Sequence, residues 1–303
     1  MVSSAQLITV LGPTACGKTA QAVKLAAALD GEIISADSRQ VFRRMDIGTG
    51  KDLADYVLAD GHRIPYHLID ICEPGERYSL YDFQRDFRLA YDDILARGRQ
   101  PILCGGTGLY IESVLRGYTL SSVPANPALR ETLEGTAPER LMEMLAELGT
   151  QSNGLDPRNP RRLIRAIEVA TYEHQHGPQP VRAFPPVPSL TIGLLVERDV
   201  RRQRISQRLR TRLDEGMVDE VRSLLAEGIA PEVLIGYGLE YRYVTLHCLG
   251  RLTEEEMSSQ LEIAIHQFAK RQMTYFRGME RRGVTIRWVD PAHQSLVETI
   301  QQL

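Results

Sequence analysis

The sequence predicts an α/β fold in which helices flank a parallel sheet and a helical segment interrupts the core. Short apolar stretches suited to buried parallel strands, at 32–36, 101–104 and 189–196, alternate with amphipathic stretches of helical period. Two of the predicted strands, one from residue 7 and one at 101–104, run directly into glycine-rich turns followed by helices. From about 117 to 188 the alternation stops, and prolines separate helical segments. We therefore predict a core formed by 1–116 and 189–303, with a helical insertion at 117–188.

The composition is that of a globular protein. The 303 residues could form one large or two modest domains, with 43% hydrophobic and 25% charged residues. The chain has no apolar run of membrane-spanning length, and MVSSAQ leads straight into the first predicted strand without signal-peptide features. Four separated cysteines suggest neither a zinc site nor a disulfide framework. We expect a cytoplasmic protein with no membrane association.

The net charge of −3 argues against a uniformly basic nucleic-acid binder, but it averages over local patches. Residues 158–165 contain four arginines and no acid, and residues 198–212 contain seven arginines and one acid.

The first glycine-rich turn, GPTACGKT at 12–19, matches the phosphate-loop pattern G-x-x-x-x-G-K-[ST]. Backbone N–H groups between Gly12 and Gly17 can cradle phosphate oxygens, and Lys18 can reach the terminal phosphate. The Thr19 hydroxyl can ligate Mg²⁺, and a helix over about 20–29 directs its positive end at the anion. The flanking strand and helix disfavour a chance match and predict a P-loop NTPase-like sheet. The predicted phosphate-binding set is Gly12, Pro13, Thr14, Ala15, Cys16, Gly17, Lys18 and Thr19.

Two further residues follow predicted strands at the edge where doubly wound sheets bind ligands. Asp37 comes directly after strand 32–36, and its carboxylate suits either chemistry or the capping of the next helix or turn. Thr107 lies in the GGTG turn after strand 101–104, where glycines would let the backbone approach a ligand. The alternative for GGTG is a tight turn that needs positive φ.

Helix and strand signals cover most of the remaining chain. We predict a strand at 66–71, a helix capped by Ser79 and stopped by Gly98, insertion helices at 138–148 and 160–174, and a last strand at 284–289. Thr253 and Glu256 form a capping box at the start of a long helix. The end of this helix is basic and aromatic, a composition that suits either phosphate contact with base stacking or the preference of helix C-termini for cations. Its predicted buried stripe is Met257, Leu261, Ala264, Ile265 and Phe268.

Two arginine clusters share helix faces. Arg161, Arg162 and Arg165 lie on one side of helix 160–174, where a solvated surface is the more usual meaning. Arg201, Arg204, Arg208 and Arg212 follow the strand at 189–196 on one helix face, which suits either closure over an anion or a solvated surface.

Several stretches together resemble the tRNA dimethylallyltransferase family, in the same order over nearly the whole chain. They are GPTACGKT at 12–19, ISADSRQVFRRMDIGTGK at 34–51, GGTGLY at 105–110, PRRLIRAIEV at 160–169, RISQR at 204–208, IGYG at 235–238 and FAKRQMTYFRG at 268–278. The family fold agrees with an α/β core and a helical insertion.

The resemblance implies transfer of a dimethylallyl group from dimethylallyl diphosphate to N6 of the adenine just 3′ of the anticodon in tRNA. The phosphate loop would hold the diphosphate, with Lys18 and Arg208 balancing its growing charge and Thr19 on Mg²⁺. Asp37 would accept the N6 proton, and Thr107 would hydrogen-bond at the reaction centre. Asp37, Thr107 and Arg208 are thus the implied catalytic residues.

The resemblance also implies contacts to the anticodon stem-loop, whose adenine would enter a channel between core and insertion. The implied tRNA-binding residues are Asp37, Ser38, Arg39, Gln40, Thr107, Arg130, Arg161, Arg162, Leu163, Ile164, Arg165 and Tyr237. We expect the protein to act as a monomer. Family members commonly carry a basic residue after the Gly-Tyr pair, whereas this chain has Gly238 there and Arg242 four residues on.

Three other functions remain as alternatives. An adenylate isopentenyltransferase would modify free AMP, ADP or ATP, but it would need neither the insertion nor the basic C-terminal helix. A small-molecule kinase would bind ATP at the same loop, although GGTG replaces the apolar strand ending in an acid that many such enzymes have. A nucleotide switch without catalysis would leave Asp37, Thr107 and Arg208 without a task.

Overall fold

The computed structural model describes residues 6–150, 155–179 and 182–302. Within them the strands are β1 (Leu7–Leu11), β2 (Gly31–Ala36), β3 (Tyr66–His67), β4 (Gln100–Gly105), β5 (Thr119–Leu120), β6 (Arg182–Ala183), β7 (Ser189–Leu194) and β8 (Arg287–Val289). The helices are α1 (Lys18–Ala28), α2 (Leu80–Ala96), α3 (Gly108–Arg116), α4 (Pro127–Leu133), α5 (Pro138–Glu147), α6 (Pro160–His176), α7 (Arg198–Asp214), α8 (Met217–Ala226), α9 (Pro231–Gly236), α10 (Leu239–Cys248), α11 (Glu254–Arg281) and α12 (Leu296–Gln301). A short 3₁₀ helix, Leu53–Tyr56, follows β2.

The chain divides into two compact units. The larger one, which we call the core unit, contains residues 1–117 and 185–303, and the smaller one, the inserted unit, contains 118–184. The bounds of the insertion predicted from the sequence, 117 and 188, lie close to these.

The core unit is built on one parallel sheet in the order β3-β2-β4-β1-β7-β8. The register pairs Leu11 with both Gly105 and Gly193, and Ala36 with Gly105, so four strands end at the same level. The phosphate loop, Asp37 and the GGTG turn leave the sheet at this common edge, which is where parallel sheets bind ligands. The prediction of a parallel sheet flanked by helices is confirmed.

Helices cover both faces of this sheet because successive strand residues point to opposite sides. One face packs Ile8, Ile33 and Ile102 against α1 and α12, and the other packs Leu7 and Ile34 against α2, α3 and α11. A third cluster joins the loop after β2 to α7, α8, α10 and α11. Burial on both faces explains why these strands are continuous apolar runs.

Most predicted helix starts are confirmed. Ser79 caps α2 and Thr253 caps α11, each in a reciprocal capping box with the acidic residue three positions on. The predicted stripe of α11 is correct for four residues and wrong for Phe268, which is 40% exposed.

The predicted strands at 66–71 and 284–289 are too long. β3 ends at His67 because Leu68 and Asp70 adopt positive φ of 62° and 56°, which breaks the extended backbone. β8 comprises only Arg287–Val289. The apolar helical region after Arg198 is two helices, since Gly216 at φ 99° separates α7 from α8.

The inserted unit contains helices α4 to α6 and the antiparallel pair β5–β6. The helices predicted at 138–148 and 160–174 correspond to α5 and α6, whereas α4 was missed. Its core contains Leu133, Leu141, Leu145, Leu163 and Ile167. Throughout the part of the chain described here, every helix is too short or too polar to cross a membrane.

Candidate active site

The loop between β1 and α1 has the conformation that phosphate loops require. Ala15 and Gly17 adopt left-handed φ of 61° and 79°, and α1 begins at Lys18, two residues earlier than predicted. Gly12 is needed because a Cβ there would lie 2.6 Å from the Sγ of Cys16, which is folded under the loop and 1% exposed. The loop thus presents its backbone and the N-terminus of α1 to an anion.

A cavity of about 1000 Å³ opens at this edge of the sheet. Several predicted residues line it: Thr14, Ala15, Gly17, Lys18, Thr19, Asp37, Ser38, Arg39, Gln40, Thr107, Arg208 and Tyr237. Gly12, Pro13 and Cys16 belong to the phosphate loop but are outside that lining. The fold therefore gathers the phosphate loop and both residues after the neighbouring strands around one space.

Hydrogen bonds join the segment after β2, which carries Asp37, to the turn after β4, which carries Thr107. The Thr107 N–H donates to the Ala36 carbonyl (3.1 Å), and the Ser38 N–H donates to Thr107 Oγ1 (3.1 Å). Asp37 Oδ1 accepts from the Arg39 N–H at 2.9 Å. Asp37 caps a local turn, as one of the two hypotheses held, but within the described residues its other oxygen makes no hydrogen bond. Both functions are therefore open to it.

The glycines of GGTG allow neighbouring groups to pack closely on the turn, and they are not required by unusual backbone dihedral angles. Gly105, Gly106 and Gly108 lie outside the positive-φ region, so the alternative of a turn needing positive φ is wrong. A Cβ on Gly105 would lie 2.5 Å from the Ala36 carbonyl carbon, and one on Gly108 would clash with the Tyr275 ring, whose Cε1 would be 2.8 Å away. Strand β2 and helix α11 thus pack directly on this turn.

Gln272 of α11 connects the phosphate loop to the GGTG turn. Its Oε1 accepts from the Thr14 N–H at 2.8 Å, and its Nε2 donates to the Gly106 carbonyl at 3.0 Å. A Cβ on Gly106 would lie 2.6 Å from that Nε2. One buried amide therefore fixes the spacing between the two loops that line the cavity.

Sequence analysis missed Gln272, although a signal exists. It lies at helical spacing from Ile265 and Ala269 in the buried stripe of α11, where a polar side chain needs partners.

A buried lysine anchors the loop that begins at Asp37. Lys51, 2% exposed, donates from Nζ to the Phe42 carbonyl (2.6 Å) and Asp46 Oδ1 (2.6 Å), and it also contacts the Asp70 carboxylate. A buried ammonium is stable only with such partners.

A glutamate of α8 holds the middle of the same loop. Glu220 accepts the consecutive backbone N–H groups of residues 46–48 at 2.7, 2.7 and 3.1 Å, and it accepts the Tyr241 hydroxyl at 2.5 Å. Helices α8 and α10 thereby hold the loop from Asp37 to Lys51 against the cavity.

The arginine face of α7 is turned toward the cavity. Arg204, Arg208 and Arg212 line it, whereas Arg201 is outside the lining. Arg208 Nη2 lies 2.9 Å from Asp52 Oδ2, and Arg212 Nη2 lies 3.5 Å from the same oxygen. Burial, with the neighbouring charge of Arg208, lowers the pKa of Arg212. The hypothesis of a merely solvated face is wrong for Arg208 and Arg212, which pair with Asp52, whereas Arg204 is exposed.

Four carboxyl groups that sequence analysis missed also line the cavity: Asp52, Asp55, Glu215 and Glu240. Burial raises the pKa of Asp55, with the charge of Asp52 adding to it, and burial raises the pKa of Glu240. Such shifts are frequent where ligands bind. No sequence pattern singles these residues out, because Asp55 and Glu240 reach the cavity only through tertiary structure.

Tyr237 faces the cavity from a buried position. Its hydroxyl accepts the Gly75 N–H at 2.6 Å, and its ring lies 4.5 Å from that of Phe42, so it is a wall of the cavity as well as a predicted tRNA contact. Gly238 follows at φ 131°, where side chains are strained. Position 238, where family members commonly carry a basic residue, thus has a backbone conformation that only glycine adopts easily.

The predicted tRNA-binding residues of the inserted unit differ in their surroundings. Arg130 makes a bidentate pair with buried Glu168 (2.9 and 2.8 Å), which Arg165 also contacts. Burial alone would raise the pKa of Glu168, but the bonds from Arg130, the Asn126 N–H and Arg165 outweigh it and lower the pKa to about 2.

The other members of that set divide by exposure. Arg161 and Arg162 are exposed and make no ion pair within the described residues, while Ile164 is half-buried. Leu163 is 0% exposed in the core of the inserted unit, so a contact of this residue with tRNA would have to come from its backbone.

Comparison with known proteins identifies the family. The sequence model described as IPP transferase matches residues 40–279, and one described as isopentenyl transferase matches residues 5–65. The chain is 57% identical to tRNA dimethylallyltransferase 1 of Parabacteroides distasonis over 305 residues, covering 100% of this chain and 99% of that protein. The chain belongs to the tRNA dimethylallyltransferase family.

Other members of the tRNA dimethylallyltransferase family agree. The chain is 52% identical to tRNA dimethylallyltransferase 2 of Trichlorobacter lovleyi, over 96% of this chain and 93% of that one. The crystal structure of the tRNA isopentenylpyrophosphate transferase of Bacillus halodurans is similar, with a TM-score of 0.67, 34% identity, and coverage of 98% and 93%. A eukaryotic dimethylallyltransferase acting on tRNA, at 20% identity and a TM-score of 0.74, shares the fold and covers 99% of this chain and 77% of its own. The resemblance stated from the motifs is confirmed.

Proposed function

We propose that this protein transfers a dimethylallyl group from dimethylallyl diphosphate to N6 of the adenine that adjoins the anticodon on its 3′ side in tRNA. One observation carries the proposal: a single cavity is lined by a phosphate loop, by Asp37 and Thr107, and by the arginines of α7. A donor diphosphate and an acceptor base can therefore meet in one space. Membership of the tRNA dimethylallyltransferase family supports the choice of donor and acceptor.

The donor half of the site would bind and stabilise the diphosphate. When the bond between the allylic carbon and the bridging oxygen breaks, its electron pair goes to the diphosphate, whose negative charge rises. Lys18 and Arg208 both line the cavity and can offset that charge, and the N-terminus of α1 adds a fixed dipole. Catalysis in this half is electrostatic, because these groups stabilise the leaving group most as it departs.

The acceptor half would position the adenine and remove its proton. N6 forms the new bond to the allylic carbon, and Asp37 accepts the proton that N6 loses. The Arg39 N–H holds Oδ1 of Asp37, which leaves the second oxygen to face the base. Thr107 orients the amine or the bridging oxygen, since its hydroxyl is fixed by the Ser38 N–H.

Mg²⁺ fits this site as an ion that the diphosphate carries. Thr19 lines the cavity beside the phosphate loop, and the described residues contain no group of three or more His, Cys, Asp or Glu side chains arranged to hold a metal. A hydroxyl, diphosphate oxygens and water are ligands that Mg²⁺ accepts. When bound, the ion would neutralise part of the diphosphate charge.

The tRNA would contact both units through the residues that the resemblance implies, with Arg161 and Arg162 as exposed cations. We propose that the protein acts in the cytoplasm as a monomer.

Substitution of the two central residues tests the proposed mechanism. We expect Asp37→Asn, which keeps an acceptor for the Arg39 N–H, and Thr107→Ala each to lower turnover by about 10² or more. Turnover is measured with labelled dimethylallyl diphosphate and unmodified tRNA, and tRNA binding by filter retention. The control is Asp93→Asn, which changes an exposed residue of α2 outside the cavity lining and should behave as the wild type. Equal losses of tRNA binding and turnover would contradict these roles.

A further inference from the structure

Arg208, the arginine assigned to the diphosphate, already has an anionic partner within the protein. The Asp52 carboxylate lies 2.9 Å from Arg208 Nη2, and the same oxygen lies 3.5 Å from Arg212 Nη2. Asp52 lines the cavity together with both arginines and with Lys18. One carboxylate oxygen is thus shared between two cations at the wall of the proposed donor site.

The loop before Asp52 is shaped to bring the three side chains together. Gly50 has a φ of 64°, and a Cβ there would lie 2.6 Å from Cζ of Arg212, so a side chain at this position would displace the guanidinium. Lys51 anchors the chain directly before Asp52, and Asp52 itself adopts a φ of 40°. The conformation of Gly50 and the anchoring of Lys51 thus hold the Asp52 carboxylate against the arginines.

The ion pair is poorly suited to a purely structural role. The side chains of Arg208 and Asp52 are 34% and 49% exposed, and ion pairs this exposed stabilise a fold little. Arg212 is more buried and has Glu240 and Glu215 as further acidic neighbours. Loss of Asp52 should therefore leave the protein folded.

We propose that Asp52 competes with the diphosphate group for Arg208 and thereby weakens retention of the diphosphate product. The Asp52 carboxylate takes the Nη2 hydrogen bond of Arg208 and offsets the charge of its guanidinium, so a diphosphate on the phosphate loop and Asp52 each weaken the binding of the other. The product carries more charge on the leaving oxygen than the donor does, and a competing carboxylate helps Arg208 release it. Asp52 is a positioning residue in this account, since it acts through Arg208. The inference rests on the proposed function for the identity of the anion.

Calorimetric titration of the full chain with inorganic diphosphate and Mg²⁺ tests the competition. Asp52→Asn removes the charge at nearly constant shape, and we expect it to bind diphosphate about fivefold more tightly, the ratio that corresponds to a part-exposed ion pair. Asp219→Asn, which removes an exposed carboxylate paired with Arg222 on α8, is the matched control and should bind as the wild type. Unchanged or weaker binding by Asp52→Asn would overturn the proposal.

A double substitution separates competition for Arg208 from a general change in charge. In an Arg208→Gln background the added Asp52→Asn change should no longer tighten diphosphate binding, and a persistent gain would overturn the proposal. In the transfer assay Asp52→Asn should show stronger inhibition by diphosphate and a lower kcat, with an unchanged melting temperature.

These binding results do not depend on the acceptor. If the protein bound diphosphate as described but transferred nothing to tRNA, the proposed function would fail while the competition would stand.

Discussion

Replacement of Gln272 by methionine tests whether one buried amide sets the geometry of the cavity. The substitution keeps the length and volume of the side chain but removes the hydrogen bonds to the Thr14 N–H (2.8 Å) and the Gly106 carbonyl (3.0 Å). Each lost bond costs about 1 kcal/mol, and a buried group left without a partner costs about 1–3 kcal/mol. For the two groups that lose their partner, the free energy of unfolding should therefore fall by about 2–6 kcal/mol in total. Because Gln272 also spaces the phosphate loop from the turn that carries Thr107, turnover should fall by about 10².

Urea denaturation gives the change in stability, and single-turnover transfer at saturating donor and tRNA gives the change in the chemical step. The matched control is Gln84→Met on α2, which removes a buried bond to the Ser113 carbonyl (3.0 Å) away from the cavity. This control should keep its single-turnover rate and lose less stability than Gln272→Met, because Oε1 of Gln84 is buried without a hydrogen-bond partner among the described residues and its removal offsets part of the lost bond. If both variants lost rate in proportion to stability, or if Gln272→Met kept the full rate, the assigned role of Gln272 would be refuted.

Two further predictions concern the inserted unit. The folded-state pKa of Glu168 is lowered to about 2, so its ion pairs stabilise the unit fully above the ordinary carboxyl pKa of 4.5. This stabilisation should be lost progressively as the pH falls toward 2. Hydrogen exchange of α6 should show the loss in the wild type, and Glu168→Gln should abolish this pH dependence. In a filter-binding titration, Arg162→Ala should weaken tRNA binding and reduce the slope of the log binding constant against log salt concentration by about 0.7–0.9. The control is Arg140→Ala, which removes a cation paired with Glu143 and Glu147 and should change neither the affinity nor the slope.

Local sequence signals predicted most of the fold. Ser79 and Thr253 identified their helices because capping boxes act within four residues, and the apolar runs around Ile8 and Ile102 identified buried parallel strands. Two of the errors arose where one residue changed the backbone direction within an apolar pattern. Leu68 ended β3 and Gly216 divided α7 from α8.

Local sequence signals also predicted some residues of the candidate active site, but not all of them. The phosphate loop, Asp37 and Thr107 could be found because each follows a strand, and parallel strands end at one edge. Gln272 and Asp52 could not be found in this way, because the partners of each are distant in the chain. Leu163 shows the converse limit: it shares a motif with exposed arginines, but its own side chain is packed inside.

Transfer of label from dimethylallyl diphosphate tests the central claim most directly. The acceptors are unmodified tRNA with an A-rich stretch after the anticodon and, in parallel, AMP and ATP, each with Mg²⁺ and with the wild type beside Asp37→Asn. We expect label on tRNA alone, at N6 of the adenine 3′ of the anticodon by nuclease digestion and mass spectrometry, and about 10²-fold less with Asp37→Asn. Label on AMP or ATP in place of tRNA, or no transfer to any acceptor, would contradict the account.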